Sequence, residues 1–370
     1  MYHNTIKAGV STFMRICFIV EHPHARMGGA EIQCYLLAKR LATRGHEVHY
    51  ICYLDPPKKD PELVFHVVKR WKSSRNALIT RPISSLVHIR NLFLALNEAS
   101  CQIYLQTCPK LVTGITALFC EVKGRIFVYR AANVKDADLT FSQEKGWPEI
   151  SWMRRKIYAY GIRKAKIIVC NSVKIARDFS MLGKKAIVIP NGQPIVPLKR
   201  IPDKEGYVLW VARLNRVKRP EILIEVARRL PQYTFIMVGR GRYKLPKLPK
   251  NVKFLGFKTG EALRSLYEKA AIFLNTSLIE GFPNTLIEAG MYYTPYVTFY
   301  DPDDVVKRYE LGFHVKSIGE AVQSIKELMQ NPSLRKRMGI NIRRYVEKNH
   351  NIETTVNLYE KLFKYLLSKI

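Results

Sequence analysis

The run Arg15-Ile-Cys-Phe-Ile-Val20 is followed by a loop to Gly28-Gly29, an amphipathic stretch from about Ala30 to Arg44, and a second apolar run, Val48–Tyr53. Two short apolar runs joined by a helical period form a βαβ unit, with parallel strands because the helix carries the chain back across the sheet. This unit decides the fold class because it recurs. Further strands are expected near Leu63–Val67, Gln102–Leu105, Arg125–Tyr129, Lys166–Cys170 and Ala186–Ile189. After Pro190-Asn191-Gly192 and the proline-rich stretch from Pro194 to Pro202, a second series opens. Its strands are Tyr207–Ala212, Thr234–Val238, Val252–Leu255, Ile272–Asn275, Tyr296–Phe299 and Gly312–Val315. The reading is α/β, with two Rossmann-like domains facing each other across a cleft: residues 14–190 and residues 191–350. The closing segment 351–370 carries a helical apolar stripe (Val356, Tyr359, Leu362, Phe363, Leu366) and is expected to pack back on the first domain.

A chain of 370 residues exceeds one ordinary core, which agrees with two domains. Sixty-one Lys and Arg against 30 Asp and Glu give a net charge of +31, so a polyanion is an expected partner. Both halves share the excess, so no basic tail supplies it. All seven cysteines lie before residue 171 without a C-x-x-C pair, a pattern of buried reduced thiols in a cytoplasmic protein. No apolar stretch reaches the length of a spanning helix, and the N-terminus lacks the apolar core of a signal peptide. Residues 1–13 precede the first strand, and Met14 is a candidate start.

Doubly wound sheets bind ligands outside the carboxyl ends of their strands. Just after the strand Ile272–Asn275 stands Glu280-Gly-Phe-Pro-Asn-Thr-Leu-Ile-Glu288. Pro283 suits a helix start, Gly281 lets backbone approach a ligand, and the helix's amides favour a diphosphate. Val208–Lys218 reads as a strand followed by a basic loop, where Arg213 and Lys218 can hold phosphate oxygens. Each motif also has a plain structural reading, as a helix surface or a solvated charge. Asp301-Pro-Asp-Asp304 reads as a turn rather than a metal motif.

Taken together, Gly28-Gly29-Ala30-Glu31, Asn171-Ser172, Pro190-Asn191-Gly192, Ala212-Arg213-Leu214 with Lys218, Val238-Gly239-Arg240-Gly241, Phe254-Leu255-Gly256 and the Glu280–Glu288 segment resemble the retaining glycosyltransferases of family 4, with the GT-B architecture. The resemblance implies that Arg213 and Lys218 bind the donor diphosphate with backbone amides around Gly281, Phe282, Pro283 and Asn284 and at Gly28-Gly29. Glu288 would hold the ribose and Glu280 the transferred sugar. Gly239, Arg240, Phe257 and Lys258 would border the base. No metal or separate cofactor is implied; the donor is a UDP- or GDP-sugar whose own phosphate takes the acceptor's proton.

One position departs from the family. Where many relatives place a histidine after the fifth strand, this chain has Arg130. Three readings are open: a one-residue slip, an arginine meeting an acidic group of the donor, or an arginine solvated at the strand end. His22 and His24 are candidates for the acceptor side or ordinary loop residues.

Two acid-free segments localise the charge. Residues 69–93 hold Lys69, Arg70, Lys72, Arg75, Arg81 and Arg90 with Trp71, Leu92 and Phe93. Residues 152–166 hold Arg154, Arg155, Lys156, Arg163, Lys164 and Lys166 with Trp152, Tyr158 and Tyr160. Basic side chains among aromatics suit an anionic bilayer. The expectation is a peripheral enzyme on the cytoplasmic membrane, acting on a lipid-linked or saccharide acceptor. The alternatives are sugar transfer to nucleic acid, whose usual recognition modules are missing here, and a non-catalytic nucleotide-sugar-binding subunit.

Overall fold

The computed structural model describes residues 13–23, 28–56, 59–69, 77–108, 111–139 and 152–369, with backbone alone for 77–85. His24, Arg70, Trp71, Lys72 and Arg75, and the side chain of Arg81, lie outside the described residues.

The first series runs β1 (Arg15–Ile19), α1 (Gly29–Thr43), β2 (Glu47–Cys52), β3 (Leu63–Val67), α2 (Ala77–Ala99), β4 (Ile103–Thr107), α3 (Leu111–Val122), β5 (Ile126–Ala131), α4 (Trp152–Lys164), β6 (Ile167–Cys170), α5 (Val173–Met181) and β7 (Ala186–Val188). These strands form one sheet in the order β3-β2-β1-β4-β5-β6-β7. β1 pairs in parallel with β2 and with β4, so the strand order reverses between β1 and β4. Strands covered by helices on both faces read as continuous apolar runs, which is why their positions are legible in the sequence. Ile16, Cys17 and Phe18 are fully buried. α3 and α4 meet through glycines: a Cβ on Gly114 would lie 2.3 Å from the Ile157 carbonyl, and one on Gly161 2.7 Å from the Thr113 carbonyl.

The second series runs β8 (Val208–Val211), α6 (Pro220–Arg228), β9 (Phe235–Val238), β10 (Val252–Phe254), α7 (Gly260–Lys269), β11 (Ile272–Asn275), α8 (Asn284–Met291), β12 (Tyr296–Thr298), α9 (Val305–Arg308), β13 (Gly312–His314), α10 (Ile318–Gln330), α11 (Pro332–Asn349) and α12 (Ile352–Leu367). Its sheet is parallel, ordered β10-β9-β8-β11-β12-β13, and its order reverses between β8 and β11. Trp210 is buried at its centre with Leu223, Phe235, Met237 and Leu274.

The chain divides into two compact units. One holds the residues up to Arg130, α4 through Ile168, and the chain from Val356; the other holds Ala131 onward to the segment before α4, and Val169–Thr355. The stripe of α12 is accordingly buried in the first unit: Val356, Tyr359 and Phe363 are at most 1% exposed. Glu360 accepts from Arg44 at 3.0 Å and pairs with His46 at 3.1 Å. The seven cysteines form no disulfide, and all but Cys108 are buried. No helix of the described residues is long and apolar enough to cross a membrane.

Candidate active site

The order reversal of the second sheet sets two loops side by side at the carboxyl ends of β8 and β11. Loop 212–219 is pinned to loop 276–283 by backbone. Leu278 N donates to Val217 O at 2.9 Å, and Thr276 Oγ1 donates to Lys218 O at 2.6 Å while accepting Trp210 Nε1 at 2.8 Å. Lys218 N donates to Asn215 Oδ1 at 3.0 Å. The result is an ion pair and hydrogen bond between the Lys218 ammonium and the Glu280 carboxylate. The Glu280 carbonyl is held by the Tyr300 hydroxyl at 2.9 Å. The site thus offers a point charge for phosphate oxygens beside an acceptor for sugar hydroxyls.

Arg219 is a residue that sequence reasoning missed. Its φ of +47° is a left-handed conformation that costs a non-glycine residue about 1 kcal/mol. Its side chain offsets that strain: Nε donates to Thr276 O at 2.7 Å and the guanidinium covers Phe299 at 5.1 Å. The only sequence signal was an arginine directly before the helix-starting Pro220.

Loop 280–283 is shaped by close approach. A Cβ on Gly281 would lie 2.3 Å from the Ala132 carbonyl and 2.6 Å from Asn171 Oδ1, so no larger residue fits without movement. Asn191 Nδ2 donates to Phe282 O at 3.0 Å and to Asn284 Oδ1 at 2.9 Å, clamping the start of α8. Asn191 O in turn bonds His350 Nδ1 at 2.8 Å, and the His350 ring packs on Phe282 at 4.3 Å. Burial pulls the His350 pKa down to about 4, against the raising effect of that bond. The motifs Asn171-Ser172 and Pro190-Asn191-Gly192 therefore belong to the scaffold of this loop. Phe282 is 9% exposed, so its backbone rather than its ring is what a ligand can meet. Pro283 has no N–H and serves as the N-cap of α8, so the helix begins at Asn284, one residue after the expected start.

Glu288 lies on α8 and accepts from the Tyr267 hydroxyl at 2.8 Å. Burial raises its pKa to about 7, opposed by that hydrogen bond, although part of the side chain keeps solvent access. Around the base-side candidates, Gly239 and Gly241 let two chains touch: Cβ atoms there would lie 2.0 Å from Ala212 O and 2.1 Å from Leu214 O. The exposed Arg213 is held between those contacts, with Leu214 N donating to Arg240 O at 2.8 Å. Arg240 covers the exposed Phe257 ring at 4.1 Å, just after Gly256 at φ +66°. Lys258 follows, partly exposed.

Other candidates sit differently. Arg130 is 4% exposed within β5, with Thr107 Oγ1 bonded to its carbonyl at 2.9 Å and Tyr359 beside its side chain, so the solvated reading is wrong. Gly28 and Gly29 belong to the first unit at the start of α1. His22 is fully buried, edge-on to Tyr35 at 4.8 Å and Phe65 at 5.6 Å, which makes it a core residue of that unit. Asp301 accepts Val306 N and Lys307 N, and Asp303 accepts Val173 N and Lys174 N, so these carboxylates cap helices as a turn would.

Residues 27–194 match the model of glycosyltransferase family 4, and residues 195–345 that of glycosyl transferases group 1. The alpha-galactosylglucosyldiacylglycerol synthase of Streptococcus pneumoniae is 27% identical over 243 residues, 56% of this chain and 64% of that protein. Sucrose-phosphate synthase from Thermosynechococcus elongatus has the same fold at 15% identity, with a TM-score of 0.76 covering 96% of this chain and 99% of that one. HepE from Anabaena, solved with UDP-glucose, gives a TM-score of 0.72 at 17% identity, covering 96% and 100%.

Proposed function

Given that the chain belongs to the family 4 retaining glycosyltransferases, we propose that it moves a sugar from a nucleotide-diphosphate donor to a hydroxyl of a lipid-linked acceptor at an anionic membrane. The observation that carries this reading is the Lys218–Glu280 pair beside the start of α8, with Glu288 about one turn further on. In the proposed reaction the bond from the sugar's anomeric carbon to the diphosphate breaks and a glycosidic bond forms on the same face. Lys218 and Arg213 stabilise the charge gathering on the leaving diphosphate, and the amides of Gly281, Phe282 and Asn284 add donors at the helix start. Glu280 orients the sugar through its hydroxyls, and Glu288 takes the ribose. Arg240 and Phe257, stacked together, offer a flat edge for the base. UDP-glucose in the HepE structure supports a UDP-sugar as the first donor to try.

The lipid side is supported by the name of the pneumococcal relative and by α4. Trp152 and Met153 are 66% and 61% exposed, Arg154 and Lys156 are exposed beside them, and Lys156 lies 4.2 Å over the Trp152 ring. Tyr158, expected at the interface, is instead buried against Tyr129, and Leu92 and Phe93 face the core, where Phe93 meets Phe119 at 5.4 Å. Among the described residues, the start of α4 is the part of the two basic segments that best supports the membrane reading. Thermal-shift screening with UDP-, GDP- and ADP-sugars, followed by transfer to glycolipid acceptors, tests the donor reading; no shift with any of them rejects it. Flotation with anionic against neutral vesicles tests the docking, and equal recovery rejects that.

A further inference from the structure

The carboxylate assigned to the ribose is held by a side chain from another helix. Tyr267 lies on the inner face of α7, 2% exposed, with its ring 5.8 Å from Phe273 of β11. A buried phenol needs a partner for its hydroxyl, and Tyr267 donates to Glu288 Oε2 on α8 at 2.8 Å. Burial and the neighbouring carboxylate hold the Tyr267 hydroxyl far above the ordinary phenol range, so it remains a donor. Its backbone is fixed as well, since Tyr267 O accepts from Thr294 Oγ1 at 3.2 Å. Lys204 donates to that Thr294 oxygen at 3.0 Å, to Glu268 O at 2.9 Å and to Tyr292 O at 2.6 Å. One ammonium thus ties the carboxyl ends of α7 and α8 together. Among the described residues Glu288 makes no other hydrogen bond or ion pair, and part of its side chain keeps solvent access. One carboxylate oxygen is taken by Tyr267 and the other is left for a ligand.

Charged groups on the elements packed against α8 are engaged with one another: Arg264 of α7 with Glu261, Lys269 with Glu205, and Arg343 of α11 with Glu347 and the Met291 carbonyl. Tyr296 of β12 donates to Leu286 O, and Tyr345 of α11 packs on Tyr309. Burial therefore acts on Glu288 against a single hydroxyl: it raises the pKa to about 7, and the Tyr267 hydrogen bond opposes the rise. Ribose hydroxyls donate strongly to an ionised carboxylate and only weakly to a protonated one. We propose that Tyr267 is a positioning residue for the nucleotide: its hydroxyl fixes one oxygen of Glu288 so that the other meets the ribose hydroxyls as part of an ionised carboxylate. This role rests on the reading of Glu288 as the ribose ligand. It makes recognition of the ribose, and of no other part of the donor, strengthen as the carboxylate loses its proton.

The probe is whichever of UDP, GDP and ADP the intact chain binds most tightly, compared with its 2′,3′-dideoxy form. The ratio of the two dissociation constants isolates the ribose hydroxyls, because a change elsewhere in the fold weakens both nucleotides alike. Lys204, whose pKa burial pulls down to about 7, titrates in the same range and cancels in that ratio. In the unaltered chain the dideoxy form should bind about tenfold or more weaker at about pH 8.5, the scale of one charged hydrogen bond. The ratio should fall below about threefold at about pH 5.5, with its midpoint near the Glu288 value of about 7. Tyr267→Phe keeps the ring and removes the hydroxyl that opposed the rise. It should cut the ratio at neutral pH about threefold or more and move the midpoint to higher pH, with dideoxy affinity kept within about twofold. Glu288→Gln should flatten the profile. A ratio that does not change with pH in the unaltered chain overturns the proposal, and that result is decisive even if Tyr267→Phe does not fold. A folded Tyr267→Phe with the parent's profile overturns it too, as does one that weakens both nucleotides equally, the mark of a structural role alone. Binding of none of the three nucleotides rejects the nucleotide-sugar reading itself, whereas binding with a flat ratio leaves that reading standing and removes only the role of Tyr267.

Discussion

Each unit has a parallel sheet whose strand order reverses once, and the two reversals carry opposite chemistry. In the second unit the loops after β8 and β11 bring Lys218 and Arg213 around a helix start, and the one carboxylate among them, Glu280, is paired with Lys218. In the first unit the corresponding pocket is lined by Glu21 and Glu31, and Glu31 is unpaired among the described residues. The same backbone architecture thus gathers basic side chains in one case and carboxylates in the other. Side chains at the strand ends decide chemistry; the sheet decides only where they gather.

The largest expected effect breaks the basic side of this contrast. Lys218→Ala should lower kcat by about 10²–10³-fold, the scale for removing a donor from developing charge, and leave the fold intact by circular dichroism. An unchanged turnover would place the leaving-group charge elsewhere. Glu280→Gln tests its partner: nucleotide binding should persist while transfer falls about tenfold or more, a split that a non-catalytic binding protein could not show.

Packing at the same site comes next. Gly281→Ala must move both the Ala132 carbonyl and Asn171, or its own loop, so it should cost about 1–3 kcal/mol of stability and misplace Glu280. Thermal melting read beside activity checks it; a variant as stable and active as the parent would mean the loop yields freely.

A pH measurement sharpens the role of Glu288. Its folded pKa is raised by burial to about 7, above the ordinary carboxylate value of 4.5, so between these values the folded protein binds the extra proton. The group's contribution to stability is full below the unfolded value and is lost as pH rises through about 7, on the order of 1–3 kcal/mol given its partial solvent access. Glu288→Gln should therefore gain melting temperature relative to the parent between pH 5 and pH 8. Parallel melting curves for the two proteins would contradict the raised pKa. The smallest effect is expected in the other unit: Glu31→Gln should leave nucleotide affinity unchanged within about twofold, and a larger loss would tie Glu31 to the donor.

Much of this was legible in the sequence, for identifiable reasons. Strands buried on both faces are runs such as Arg15–Ile19 and Ile272–Asn275, and their positions follow from composition alone. That Lys218 and Glu280 belong to one site follows from the family resemblance, whereas their direct pairing is seen only where two loops meet at the strand-order reversal. Other features were not legible. Arg219 holds a left-handed backbone that only its side-chain contacts explain. Tyr158 stands in a basic, aromatic stretch that reads as interfacial, yet helical rotation against α3 buries it. Glu31 belongs to a recognisable Gly-Gly-Ala-Glu segment, but that it meets no partner among the described residues is a property of three-dimensional surroundings. Arg130 shows the same limit, since its burial depends on β5 being a central strand with Tyr359 of α12 beside it.

The central claim is that the second unit holds a nucleotide-diphosphate sugar through Lys218 and Glu288. Isothermal titration of the full chain with UDP-, GDP- and ADP-sugars, repeated on Lys218→Ala and Glu288→Ala, measures it directly. The account predicts saturable binding of one nucleotide class, weakened about tenfold or more by each substitution, the scale of one charged hydrogen bond. Binding of none of the three by the unaltered chain, or equal binding by all three proteins, would contradict it.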